Sequence, residues 1–265
     1  MSEKKNLIEN LIFFKKEPEM LGYFDMSKFN LSFRKELNFC YYNLNIRYRQ
    51  KFRNVFLIFE LSTIISIIRH ALSDNMVEIE KIHQDSLLSD QIKAIMIKNS
   101  KFLNRLFDLC RYLSVLNRAF LTLPEVFLKK EMRVFEEGFS KAYFEGLLTD
   151  KKNISEIREF IRIFIDLYNI NALYKKTVWE SHETVNLIDG GSLSEIQIKE
   201  KLKNADFKPI SYLRDQATRI KQRGISSEIY HFLHYLLLLY LENINLNILI
   251  NTLDYERDYV ESAII

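Results

Sequence analysis

A shortage of turn-forming residues constrains this chain more than anything it contains. Six glycines and three prolines are spread over 265 residues, where these two types make up roughly 12% of an ordinary chain. A β-sandwich or barrel needs Gly, Pro or Asn-Gly at nearly every strand end, and this chain cannot supply them. A doubly wound nucleotide-binding fold needs a Gly-rich loop that lets backbone amides approach phosphate, and the sequence has none. With 48% hydrophobic residues there is ample material for a packed core. The sequence therefore predicts an all-α protein of roughly ten helices joined by short connections.

Charge and cysteine usage narrow the class further. Lys and Arg number 38 against 35 Asp and Glu, a balance unlike the strong basic excess of a dedicated nucleic-acid binder. Cys40 and Cys110 are far apart with no CxxC spacing, and read as small apolar side chains in a reducing compartment. The apolar character of residues 7–14 is interrupted by Glu9 and Asn10 with no small-residue cleavage site after it, so no signal peptide is expected. The most apolar stretches, 56–68 and 232–241, are broken by Glu60 and run into Glu242 respectively. A membrane span takes about 20 mostly apolar residues, so both are expected to be central helices covered by protein.

Along the chain, a short amphipathic helix is expected over about residues 3–16, followed by a loop at Glu17-Pro18-Glu19 and Gly22. Residues 31–119 contain neither Gly nor Pro, and apolar positions such as Ile92, Ile95, Met96, Leu103, Leu106, Phe107 and Cys110 recur at helical spacing. Gly138 and Gly146 are expected to flank a short piece. Asn153-Ile154-Ser155-Glu156 opens a long helix to about Lys176. Asp189-Gly190-Gly191-Ser192 is the clearest loop, and Ser192-Leu193-Ser194-Glu195 reads as a cap leading into a helix. Lys208-Pro209-Ile210 is a further break, and Ser226 to about Asn251 the last strong helix.

Three segments share one layout: an apolar helix with an acid in its middle, a small polar residue three positions on, then aliphatics. The pairs are Glu60 with Thr63, Asp166 with Asn169, and Glu242 with Asn245. A spacing of three puts both polar groups on one helical face. A carboxylate in such a run is costly to bury unless it is hydrogen-bonded, so the pair is expected to tie down a neighbouring loop or helix end. Repetition of such a unit points to a pseudo-symmetric all-α protein. The intervals, 106 and 76 residues (166 − 60 and 242 − 166), are too unequal for a regular solenoid.

Reactive clusters are scarce. His231 and His234 share a helical face with Glu228 nearby, but a third and fourth ligand for zinc are not evident, and His70, His83 and His182 are scattered. Neither cysteine has a neighbouring His or Asp to activate it. Glu60, Asp166 and Glu242 are expected to be spread over separate units, not gathered in one cleft. No catalytic, metal or cofactor site is therefore expected, and the chain is read as a non-enzyme. The sharpest basic cluster is Arg47, Arg49, Lys51 and Arg53 with Tyr48 and Phe52 interleaved. It reads as a solvated helix face, as a partner or lipid-headgroup contact, or as a nucleic-acid contact.

Several of these stretches resemble, in order, segments of one family: the C subunit of V-type ATP synthases, equivalent to subunit d of vacuolar ATPases. Phe139-Ser140-Lys141-Ala142-Tyr143-Phe144-Glu145-Gly146-Leu147-Leu148 is similar to the segment before its second motif helix. Asp166-Leu167-Tyr168-Asn169-Ile170 resembles its Asp-x-x-Asn-Ile/Leu signature. The stretch Leu187-Ile188-Asp189-Gly190-Gly191-Ser192-Leu193-Ser194 resembles its Leu-Ile-Pro-Gly-Gly-x-Leu-Ser loop, with Asp189 in the proline's place. Glu242-Asn243-Ile244-Asn245-Leu246-Asn247-Ile248 resembles its C-terminal Glu-x-x-Asn-Leu-Arg-x-Ile. Thr63 stands where the first unit has Asn, and Ile65, Asn171 and Asn247 stand where a basic residue is usual.

The resemblance implies three pseudo-symmetric helical units forming a funnel or collar, here 31–110, 111–190 and 191–265 after an N-terminal segment 1–30. It implies a non-catalytic part of a proton- or sodium-translocating complex. That part is cytoplasmic and peripheral, couples the central-stalk subunit to the membrane proteolipid ring, touches the membrane only through that ring, and binds no nucleic acid. The departures leave open a divergent helical interaction or regulatory scaffold without a rotor role.

Overall fold

The computed structural model describes residues 27–72, 79–82, 86–88, 132–178, 185–204, 207–224 and 227–251. The helix expected over 3–16 and the apolar repeat at 92–110 lie outside these residues, as does the unit boundary expected at 110. Among the described residues the regular elements are helices and no strand occurs, as the scarcity of Gly and Pro requires. We label the helices α1 (Ser27–Asn43), α2 (Ile46–Leu72), α3 (Met132–Thr149), α4 (Ser155–Val178), α5 (Glu195–Leu202), α6 (Pro209–Gly224) and α7 (Glu228–Asn251). None is long and apolar enough to cross a membrane.

The helix ends follow local chemistry. Helix α4 carries Glu156 in its first turn and Lys175 and Lys176 in its last, each matched to the partial charge of that helix end. Helix α5 starts on a capping box: the Gln197 amide donates to Ser194 Oγ at 3.3 Å, and the Ser194 amide donates to Gln197 Oε1 at 2.8 Å. This satisfies two backbone donors that the helix geometry leaves open. Pro209 occupies the first position of α6, where its missing N–H costs nothing.

One expectation needs correcting. Gly138 and Gly146 do not flank a short piece; both lie inside the continuous helix α3. A glycine costs an exposed helix about 1 kcal/mol relative to Ala. Burial of Phe135, Phe139, Tyr143, Phe144 and Leu147 on the same helix outweighs that, at about 1.5–3 kcal/mol for each large side chain.

The chain divides into two compact units, Asn38–Pro209 and Met1–Leu37 with Ile210–Ile265. In the Asn38–Pro209 unit α4 is the central element and packs against α2, α3 and α5, while α2 also packs against α3. Buried positions cover nearly the whole circumference of α4, from Ile157 through Phe160, Phe164, Asp166 and Asn169 to Leu173. Aromatic edges lock the helices together: Phe59 of α2 meets Phe164 of α4 edge-on at 5.5 Å, and Phe144 of α3 meets Tyr168 of α4 at 6.2 Å. The Tyr143 hydroxyl donates to the Leu57 carbonyl at 2.8 Å, joining α3 to α2. In the other unit Leu233, Leu236 and Leu237 of α7 and Leu213, Ala217 and Ile220 of α6 are buried. There Phe33 lies 6.1 Å from Tyr240, and the Tyr235 hydroxyl donates to Glu36 at 2.6 Å.

Candidate functional site

The central helix α4 holds a fully buried carboxylate. Asp166 accepts from the backbone amides of Ser192 at 3.1 Å and Leu193 at 3.0 Å. One turn on, Asn169 donates to the Ile188 carbonyl at 2.9 Å and accepts from the Ile188 amide at 2.8 Å. The acid and the amide thus grip both sides of the loop that contains Gly190 and Gly191. Four hydrogen bonds satisfy polar groups that would otherwise be buried at a cost of about 1–3 kcal/mol each.

The glycines let the loop come this close. Gly190 has φ +93°, a conformation that other L-residues rarely adopt, and a Cβ there would run into Leu148. A Cβ on Gly191 would run into the Asp166 carboxylate itself and stand 3.3 Å from Ile165 Cγ2. On the outer side of the loop, Lys141 pairs with Asp189 at 3.2 Å and Asn186 donates to Glu137 at 3.2 Å. Those contacts are exposed and contribute little. The loop then feeds directly into the capping box of α5.

Glu60 on α2 makes the corresponding contacts. It is buried and accepts from the Ser86 hydroxyl at 2.8 Å and the Leu87 amide at 3.0 Å. The partners of Glu60 lie 26 and 27 residues downstream, and so do those of Asp166. The repeated dipeptide Ser86-Leu87 and Ser192-Leu193 is the sequence signal for this correspondence, and motif reading centred on the acids passes over it. The preceding helices keep the same offset: α1 ends at Asn43 and α3 at Thr149, 106 residues apart (149 − 43), as are Glu60 and Asp166 (166 − 60). Thr63, at the position of Asn169, differs: its buried hydroxyl has no hydrogen-bond partner. Glu242 and Asn245 lie on α7, with Asn245 buried and Glu242 half-buried.

A second polar node joins α2 to the α3–α4 connection. Asn54 donates to Asp150 Oδ2 and to Asn153 Oδ1, both at 2.8 Å, and Asn153 donates to the Leu147 carbonyl. Partial burial works to raise the Asp150 carboxyl. The hydrogen bonds from Asn54 and the Lys152 amide, with the charges of Lys152 and Arg53, outweigh it and hold the group below its ordinary value. Burial, with the Glu60 charge added, pushes the Tyr143 phenol well above its ordinary value, so it stays a neutral donor to Leu57.

The basic cluster is not one surface. Arg49 turns back onto α1 and donates to the carbonyls of Tyr41 at 3.1 Å, Tyr42 at 2.8 Å and Leu44 at 3.1 Å. Its guanidinium also lies over the Tyr41 and Tyr42 rings. It closes the open carbonyls at a helix C-terminus. Arg47 and Arg53 are exposed and Lys51 is half-buried. His231 is exposed and His234 half-buried on α7, and no group of three or more metal-ligating side chains is gathered among the described residues. The chain matches no protein-family model, no curated protein and no solved structure.

Proposed function

We propose that the chain is a non-catalytic rotor-coupling subunit, linking the central stalk to the membrane proteolipid ring of a V-type ATPase or ATP synthase. The observation that carries this reading is the repeated pin. A buried acid in mid-helix holds a loop 26 and 27 residues downstream, at Glu60 of α2 and at Asp166 of α4 alike, and Glu242 with Asn245 on α7 repeats the spacing of acid and amide. The Asp-x-x-Asn and Gly-Gly segments whose sequence resembles that family are the two partners of one pin.

In this reading three such units form a pseudo-symmetric funnel or collar that is cytoplasmic and peripheral on the complex. Torque transfer requires a body that does not yield. Close-packed helices transmit strain, and the buried polar ties of Asp166 and Asn169 to their loop favour one arrangement. The test is affinity capture of the chain from native membranes, followed by identification of the bound proteins. A stalk subunit and the proteolipid are the expected partners; recovery of the chain without either overturns the proposal.

One observation favours a second reading, a helical scaffold that has left the rotor. The Thr63 hydroxyl is buried without a partner, so the first pin lacks half of its grip. Capture of the chain with partners that include neither ring nor stalk selects this reading.

A further inference from the structure

We propose that the turn between α1 and α2 is a contact surface for an anionic lipid bilayer. Nine large apolar side chains are exposed among the described residues, and four of them fall within ten consecutive positions: Phe39, Tyr42, Ile46 and Tyr48, at 67%, 61%, 73% and 38%. Phe39 and Tyr42 are one turn apart at the end of α1, and Ile46 begins α2. Arg47 stands exposed between Ile46 and Tyr48. Residues 38–59 contain four cations and no Asp or Glu, in a chain whose charges otherwise nearly cancel. Arg47, Lys51 and Arg53 make no ion pair among the described residues, although Lys51 and Arg53 lie within the field of Glu156 and Asp150.

The turn is held ready before any partner arrives. Arg49 ties it through three carbonyls and two rings, the Asn43 side chain donates to the Phe39 carbonyl at 2.8 Å, and Tyr48 stacks on Phe52. The turn presents Phe39, Tyr42 and Ile46 to solvent. A bilayer interface accepts all of them at once: Phe39 and Ile46 at the acyl boundary, the amphipathic Tyr rings at headgroup depth, and Arg47 at a lipid phosphate. An acidic protein surface would satisfy Arg47 and leave the apolar rings to find pockets of their own. This contact is direct, in addition to any made through a proteolipid ring, and stands whether or not the rotor reading does.

The experiment is flotation of the purified chain with vesicles of phosphatidylglycerol and phosphatidylcholine, against phosphatidylcholine alone. The chain is expected to bind the anionic vesicles selectively and to be released by salt. The double substitution Phe39→Ser with Ile46→Ser is expected to weaken binding at least about tenfold, and Arg47→Glu about tenfold. Both should leave the thermal midpoint near the parent's, because all three side chains are exposed; Arg47→Gln serves as the milder variant if either fails to fold. Equal binding to both vesicle types, or variants that bind like the parent, overturns the proposal. So does a protein partner, captured from native membranes, that is lost on Arg47→Glu when the parent has no vesicle affinity.

Discussion

The carboxylate of Asp166 fills the space into which a side chain on Gly191 would project. Helix and loop approach so closely because the amides of Ser192 and Leu193 must reach a carboxylate that is itself buried in the middle of α4. The sequence meets that demand with one of its six glycines, and places another at the neighbouring position of positive φ.

Gly191→Ala is therefore expected to destabilise the fold by about 2–3 kcal/mol, the cost of forcing a methyl into a packed site, and Gly190→Ala by about 1–2 kcal/mol through backbone strain. Urea unfolding measures both. In the pair Gly191→Ala with Asp166→Ala the collision is gone, so the combined loss should fall short of the sum of the single losses by about 1 kcal/mol or more. Simple additivity would mean that the carboxylate is not what the methyl meets.

The two acids differ in what they accept, and this separates their amide variants. Asp166 receives two backbone amides, which only donate. Asp166→Asn turns an NH2 group toward one of them, and should cost about 2–3 kcal/mol. Glu60 receives one amide and one hydroxyl. A hydroxyl accepts as well as donates, so Glu60→Gln keeps both contacts and should cost about 1 kcal/mol. Equal losses in chemical denaturation would show that charge, not donor matching, decides both sites.

Thr63 offers the opposite sign. Its hydroxyl is buried and without a partner, and valine has nearly the same shape. Thr63→Val removes an unmet polar group and is expected to stabilise the protein by about 1 kcal/mol, seen as a raised urea midpoint. A lowered midpoint would mean that the hydroxyl is solvated or bonded in solution.

Helical class was legible because nine turn-formers cannot punctuate anything else of this length. The pairing of Asp166 with Asn169 was legible as a shared helical face, since a spacing of three fixes it. What that pair holds was not, because its partner is backbone: the amides of Ile188, Ser192 and Leu193 act through main-chain atoms that every residue type carries. Arg49 illustrates the same limit. In sequence it is one of four cations, and only the fold around the Asn43–Ile46 turn brings the Tyr41, Tyr42 and Leu44 carbonyls within its reach. The continuity of α3 through Gly138 and Gly146 is tertiary in origin, since the burial that sustains it comes from packing against α2 and α4.

The pH dependence near neutrality should trace to His234. Burial disfavours its imidazolium, and the charges of Lys221 on α6 and His231 on α7 repel it, so its value in the folded chain lies below the ordinary 6.5. As pH falls through about 6.5, the unfolded chain takes up this proton before the folded chain does. Stability contributed by the neutral ring is thus complete above that value, declines as pH falls toward the folded value, and levels off below it. The lowered carboxyls of Asp150 and Glu156 act in the same direction but at lower pH, below their ordinary 3.8 and 4.5. Thermal midpoints taken between about pH 7.5 and 5.5 should fall with pH in the parent. They should fall less in His234→Gln, and to an intermediate degree in Lys221→Gln. A His234→Gln profile as steep as the parent's would assign the decline to another group.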